Sequence, residues 1–318
     1  MKSGDKPAPL ARRRSAGWPA RAWAIGLCAF ACRGAFAQSI EPRNYSNAPV
    51  GMNFAILGLG YSKGGIAFDP ALPVKDPELN IVSSFLAYTR VFEMAGQTGR
   101  VDFVQPFASL SGSASFAGQP IERSQQGLAD SLFRVSYHLL GAPALSLADF
   151  RNYRQDLIVG ASVEVSAPTG AYDNQKAVNL SGNRWTIKPE IGLSKAFGPM
   201  VLELAAATVF YTTNSDFFGG SERKQDPLYS LQAHTVYNFS AGAWASLSAS
   251  YYQGGRTIIN GQEGNDLQEN WRLGATFAMP LSRYLSLKLA ASNGLYARTG
   301  NNMSLYTMGL QTRWGAGL

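Results

Sequence analysis

Few residues in this sequence could carry catalysis. Only two histidines occur, His138 and His234, and the only cysteines, Cys28 and Cys32, stand near the amino terminus. A hydrolase would need one histidine as general base within hydrogen-bond reach of a nucleophile, with a third group orienting the ring. By spacing of two, His138 shares the face of Arg134 and Ser136, and His234 that of Gln232. Both therefore belong to polar faces, and no serine motif accompanies either on an apolar rim. The chain reads as no enzyme; a Ser–His–Asn lipid hydrolase on the rim of a barrel is the least favoured alternative. Asp69, Asp76, Asp173, Asp216, Asp226 and Asp266 fall in loop-like stretches but match no calcium-loop spacing. Neither a metal nor another cofactor is expected. Two glycine-rich stretches are Gly254-Gly255-Arg256-Thr257 with Asn260-Gly261, and Pro168-Thr169-Gly170 with Asn179 to Trp185. Both lack the strand-to-helix setting of a phosphate cradle and read as tight external turns, with a loop folded into a pore as the alternative.

The elements that must position these residues follow a leader. Arg12, Arg13, Arg14 and Arg21 precede the apolar run Ala22 to Ala31, and Ala35-Phe36-Ala37 follows. That order is a secretory signal peptide, expected at residues 1–37 with cleavage between Ala37 and Gln38 and Ala35 as the second small residue. A ten-residue run is too short to anchor in a membrane, and Ala29-Phe30-Ala31 is a poor lipoprotein box before Cys32. The chain has 28 basic and 21 acidic residues. Seven of the basic ones and one acidic one precede Gln38, so the remainder holds 21 and 20. The net charge of +7 is thus a property of the leader, and nothing argues for nucleic acid as a partner. Both cysteines leave with the leader, which excludes disulfides and thiolate metal sites from the mature chain.

After Ala37 no run of eighteen apolar residues occurs, so no helix is expected to span a membrane. Twelve alternating segments stand out instead: 53–63, 80–93, 100–117, 128–140, 154–167, 184–196, 199–213, 227–240, 244–257, 269–280, 284–299 and 302–314. Short connections (94–99, Gly198-Pro199, Ala241 to Ala243, Leu281 to Arg283) alternate with long ones at 64–79, 118–127, 168–183, 214–226 and 258–268. Short periplasmic turns, long external loops and an even strand number are the pattern of an outer-membrane β-barrel. The connection 141–153 departs from it, and Ser146 is placed to cap a short periplasmic helix there. The connection after residue 299 is a short external one.

Period two assigns the faces. Leu285, Leu287, Leu289 and Ala291 oppose Ser286, Lys288 and Ser292; Trp185, Ile187, Ile191 and Leu193 oppose Arg184, Lys188, Glu190 and Ser194. Leu157, Val159, Ala161, Val163 and Val165 oppose Ser162, Glu164 and Ser166, and Leu202, Leu204, Ala206 and Phe210 oppose Glu203, Ala205 and Ala207. A soluble periplasmic sandwich would alternate in the same way. Long strands, alternating loop lengths and aromatics near strand ends (Tyr61, Trp185, Tyr211, Trp244, Tyr251, Trp271, Tyr284, Trp314) favour the membrane barrel. Thr307-x-Gly309-x-x-Thr312-x-Trp314 resembles the C-terminal assembly signal of such barrels, with Thr312 in place of an apolar residue and four further residues, 315–318.

Several motifs occur together: Gly127-Leu128-Ala129-Asp130, Pro168 to Asp173 (PTGAYD), Asn179-x-x-x-Asn183-Arg184-Trp185, Tyr252-x-Gly254-Gly255-x-Thr257-x-x-Asn260-Gly261 and Tyr284-x-Ser286-x-Lys288. In this order, over most of residues 50–314, they resemble the outer-membrane transporter family named for phenol (meta-pathway) degradation. The resemblance implies an outer-membrane barrel associated with the catabolism of aromatic compounds, and it brings no catalytic residues.

The expected molecule is all-β: a signal peptide at 1–37, a flexible lead at 38–52, a transmembrane antiparallel up-and-down barrel of about twelve strands at 53–314, and a tail at 315–318. Its expected function is passive uptake of small, aromatic or hydrophobic compounds. The alternative is a closed structural or adhesion barrel. Expected inward-facing residues are Asp130, Arg134, His138, Glu164, Arg184, Lys188, Glu190, Glu203, Gln232, His234, Arg272 and Lys288. Of these, Arg184, Lys188, Glu190 and Glu203 are expected to form a charge ladder across neighbouring strands. Expected partners are outer-membrane lipid and lipopolysaccharide, a small-molecule solute and the barrel-assembly machinery.

Overall fold

The computed structural model describes residues 40–67, 74–116, 119–176, 178–239 and 242–318. The leader, with Ala35, Ala37 and Gln38, lies outside these residues. Among the described residues seventeen strands occur, in chain order. The first eight are β1 (Met52–Ala67), β2 (Val74–Met94), β3 (Gln97–Phe116), β4 (Gln119–Leu128), β5 (Ser131–Leu140), β6 (Leu157–Ala167), β7 (Thr186–Phe197) and β8 (Met200–Tyr211). There follow β9 (Asn214–Phe217), β10 (Ser221–Gln225), β11 (Leu228–Asn238), β12 (Trp244–Gly254), β13 (Thr257–Ile259) and β14 (Gln262–Glu263). The last three are β15 (Gln268–Pro280), β16 (Leu285–Ala297) and β17 (Gly300–Gly315).

One sheet holds thirteen of these strands and closes on itself, because β1 pairs with both β17 and β2, and β2 pairs with β3. Strands β4 and β5 both pair with β3, in tandem, so they occupy one position in the wall. The result is a closed antiparallel barrel of twelve staves. Closure removes every sheet edge, which lets backbone polar groups sit in hydrocarbon. The wall begins and ends, at Met52 and Gly315, on the side with the short turns, the periplasmic end by the general rule for these barrels. In the 141–156 connection the short helix α1 (Leu147–Phe150) is capped by Ser146, whose hydroxyl accepts from the Asp149 amide.

The alternation of faces is as the spacing predicts. Along β7, Ile187, Ile191 and Leu193 are exposed while Lys188, Glu190 and Ser194 are buried. The outside is a belt of Leu, Val, Ile and aromatic side chains facing lipid. Turning charges such as Lys188 outward would cost roughly 2–4 kcal/mol each near the midplane, which is why the register is well specified. Two aromatics expected at the membrane interfaces turn inward instead. Trp244 is buried and Tyr211 half-buried, because Trp244 shares the parity of Ser246, Ser248 and Ser250, and Tyr211 that of Glu203 and Val209.

Other corrections concern the connections and the lead. Residues 119–127, expected in a loop, belong to β4, which pairs with Phe107 to Phe116 of β3. The expected loops 214–226 and 258–268 contribute strands to a second, four-stranded sheet, ordered β14-β13-β10-β9. The lead expected to be flexible at 38–52 is packed from residue 41 to residue 49 and bonded inside the barrel, and Met52 already begins β1. Polar side chains gave it the look of a solvated linker. They are polar because the wall they meet is polar.

Candidate functional site

The inner wall presents a charged row. Asp102, Arg134, Glu164 and Lys188 stand directly opposite one another across β3, β5, β6 and β7. Neighbouring strands lie about 4.8 Å apart, so alternating signs in one row can pair along it. Arg134 Nη2 lies 3.0 Å from Glu164 Oε2 and Lys188 Nζ lies 3.0 Å from Glu190 Oε2. Asp102 takes Arg100 Nε at 2.9 Å and the Thr89 hydroxyl at 2.6 Å. The expected ladder from Arg184 through Lys188 and Glu190 to Glu203 is not the one formed. Register places Glu203 opposite Ser194 and His234, and Arg184 lies before β7 begins.

Residues 41–47 cross this wall. Glu41 Oε2 lies 2.7 Å from Arg134 Nη1, and its amide donates to Gln232 Oε1 at 3.3 Å. The Arg43 amide donates to Glu203 Oε2 at 2.6 Å, and its guanidinium reaches Asn238 Oδ1 at 2.8 Å and stacks over Trp244. Asn44 donates to Glu190 Oε1 at 2.7 Å and accepts from Arg100 and Arg134 at 2.8 and 3.0 Å. Asn47 accepts from the Thr98 hydroxyl and donates to the Pro143 carbonyl. Tyr45 is 3% exposed, and its hydroxyl donates to Glu190 Oε1 at 3.0 Å. Its ring rests on Gly160 and Gly192, which face each other across β6 and β7. A gap between the segment and the wall, lined by Glu41, Asn44, Tyr45, Glu190, Glu203, Gln232 and His234, is about 10 Å³. That is room for about one water molecule. Residues 41–47 therefore plug the barrel toward its periplasmic end.

All twelve residues expected to face inward are buried. Arg134, Glu164, Lys188, Glu190, Glu203, Gln232 and His234 meet around the plug. His138 lies edge-on to Tyr45 with Nδ1 3.0 Å from the Thr98 carbonyl, and Lys288 Nζ lies 5.7 Å from the Trp244 ring centroid. The other three stand toward the opposite end. Asp130 accepts the amides of Gly170 and Gly182, each at 3.0 Å, and so ties down the 168–183 loop. Arg272 donates to the Met303 carbonyl at 2.9 Å and the Ser292 hydroxyl at 3.2 Å. Arg184 donates to Gln225. The loop is tucked inward, with Leu180 packed on Leu79, Ile81, Leu110 and Met303.

Sequence reasoning missed the plug residues Glu41, Arg43, Asn44, Tyr45 and Asn47 altogether. The signal for them was indirect: two inward glycines on adjacent strands leave a notch, but nothing in the spacing says what fills it. It also missed a serine beside His234, whose Nδ1 lies 2.8 Å from the Ser248 hydroxyl. That pair is buried on the inner face, away from lipid. A larger groove, about 920 Å³, lies elsewhere. Outward-facing Leu59, Tyr61, Leu247, Phe277, Leu289 and Met308 contribute to its lining, so it belongs to the lipid-facing surface and not to the interior.

Residues 63–308 match the family described as "Putative MetA-pathway of phenol degradation". The chain belongs to this family. No curated protein matches the sequence. An outer membrane channel from Pseudomonas putida F1 is similar in structure, with a TM-score of 0.75 and 22% identity over 87% of this chain and 100% of that one. The transport unit of the autotransporter AIDA-I from Escherichia coli aligns at TM-score 0.50 and 9% identity, over 89% of this chain and 95% of that one. At such identities the likeness is one of fold. The protein is an outer-membrane β-barrel in contact with membrane lipid.

Proposed function

We propose that this barrel is an outer-membrane channel for passive uptake of small aromatic or hydrophobic compounds, and that residues 41–47 hold it closed in the conformation described. The observation that carries this reading is the nature of the plug's attachment. Hydrogen bonds and ion pairs join it to the wall, and apart from its continuation into β1 the segment has no covalent link to the wall and no strand pairing among the described residues. Such contacts exchange readily for water, because each is worth only about 0.5–1.5 kcal/mol net, or 1.5–3 kcal/mol where a charge takes part. The polar wall behind the plug is the lining that a water-filled path would need. The P. putida protein is described as a channel, which supports the reading, and the family's description supports aromatic solutes.

Planar-bilayer recording tests it. Wild-type protein should give small or rare conductance events, and Tyr45→Ala should give larger and more frequent ones. Swelling of liposomes in phenol should then rise in parallel. A flat baseline from both proteins would reject the channel.

A second reading, a closed structural barrel, is favoured by the smallness of the gap beside the plug. It expects no conductance from either protein. The rim hydrolase is disfavoured, since His234 and Ser248 face the interior.

A further inference from the structure

The extracellular half of the interior differs in charge from the plugged half. Around the plug, Arg134 and Lys188 each have a carboxylate at contact distance. In the outer half, Arg184 and Arg223 have none: among the described residues neither makes an ion pair within 4.0 Å. Arg184 ends the Asn179 to Trp185 stretch, and Arg223 lies on β10 of the small outer sheet. The Arg184 guanidinium stacks over the Tyr211 ring at 4.4 Å and that of Arg223 over Phe217 at 5.0 Å. Arg184 gives one hydrogen bond, from Nη2 to Gln225. Its Nη1 and the Nε of Arg223 are buried with no partner. Arg184 is 8% exposed, while Arg223 remains partly open.

The carboxylates that act on the two arginines are occupied by other donors. Asp130 accepts the Gly170 and Gly182 amides, and Asp266 accepts the amide and hydroxyl of Thr257 at 2.8 and 2.7 Å. The Tyr172 hydroxyl donates to the Asp216 carbonyl and accepts from Asn214. Burial and then the charge of Arg223 work against the Arg184 cation, and burial works against that of Arg223. Guanidinium remains protonated even so. Two neighbouring cations, each with a buried donor atom that has no partner, are a stable arrangement when an anion sits between them.

We propose that Arg184 and Arg223 form a binding site for a small carboxylate at the extracellular mouth of the barrel. Two guanidinium groups offer the fork geometry that carboxylate oxygens accept. Nearby Asp130 and Asp266 disfavour a dianion, so a singly charged carboxylate suits the site better than phosphate. As a selectivity device the site rests on the channel reading above, because it would gather acidic solutes ahead of the lumen; the binding does not depend on conduction.

Isothermal titration of the purified full-length barrel in detergent tests the site, using sodium benzoate, benzyl alcohol as its uncharged counterpart, and inorganic phosphate. Benzoate should bind saturably and benzyl alcohol should not. Arg223→Gln and Arg184→Gln should each weaken benzoate by about tenfold, with far-ultraviolet circular dichroism unchanged. Arg223 lies on the outer sheet, so its variant keeps the test alive should Arg184→Gln fail to fold. Equal binding of benzyl alcohol, or benzoate binding unchanged in Arg223→Gln, overturns the proposal. So does phosphate binding more tightly while added lipopolysaccharide displaces benzoate, because the ligand is then a lipid headgroup. Bilayer recording on the same preparations separates the two ideas. Benzoate binding without conductance rejects the channel and leaves the site; conductance without benzoate binding does the reverse.

Discussion

The ring of Tyr45 lies where the side chain of residue 192 would be. A methyl group at Gly192 would stand 2.2 Å from the Tyr45 ring, and one at Gly160, its partner across β6 and β7, 2.3 Å away. Two glycines in register on the inner wall thus make a notch, and an aromatic ring from a segment more than a hundred residues earlier fills it. The two glycines meet opposite edges of the ring, Cδ1 and Cε1 at Gly160 and Cδ2 and Cε2 at Gly192, and the Tyr45 hydroxyl is held by Glu190.

Gly192→Ala should therefore expel Tyr45 without altering the strand. Single-channel conductance should rise several-fold over wild type. Adding Tyr45→Gly to Gly192→Ala should bring no further rise, since the two changes release the same contact. Additive effects would show that Tyr45 does not gate the path.

Arg134 joins two carboxylates, Glu41 on the plug and Glu164 on the wall. Arg134→Met leaves both buried without their cation, and removing one partner of a buried pair costs about 3–5 kcal/mol. The urea midpoint in lipid vesicles should fall accordingly. The triple variant with Glu41→Gln and Glu164→Gln should recover most of the loss. If Arg134→Met alone unfolds like wild type, the pairs contribute nothing to stability.

Leu287 and Ser286 test the faces of β16. Leu287→Arg sets a charge among lipid tails, at roughly 2–4 kcal/mol near the midplane, whereas Ser286→Arg places it on the side of Lys288. Vesicle unfolding should rank Leu287→Arg well below Ser286→Arg. The opposite ranking would mean that this strand is inverted.

Lys188→Glu removes the cation beside Glu190, the residue that holds both Asn44 and Tyr45. Reversal potential in a salt gradient should move toward cation preference, with open events more frequent than in wild type. Unchanged selectivity would place Lys188 away from the ion path.

The leader can be checked by intact mass. Protein extracted from outer membranes should begin at Gln38, two residues before the first described one. A mass that includes Cys28 and Cys32 would reject cleavage after Ala37.

Much of the barrel was legible from residue order alone. Alternation in β6, β7, β8 and β16 named the inner residues, because a strand has a strict period of two and lipid tolerates no misplaced charge. Glu164, Lys188 and Glu203 needed only their parity. The Ser146 cap was equally local, a hydroxyl serving an amide three residues on. Trp244 and Tyr211 carried the same parity signal, but nearness to strand ends outweighed it in the reading.

By itself, then, the residue pattern determined a closed antiparallel barrel of about twelve strands and the facing of most of its side chains, since these follow from periods of a few residues and from the solvent. What the interior holds was decided by tertiary structure. Opposition of Asp102, Arg134, Glu164 and Lys188 depends on the stagger of β3, β5, β6 and β7, which no single strand encodes. The burial of 41–47 depends on a cylinder that exists only after β1 meets β17. A polar segment looks like a linker until a polar cavity closes around it; there its amides and charges replace water, and the same residues become a plug.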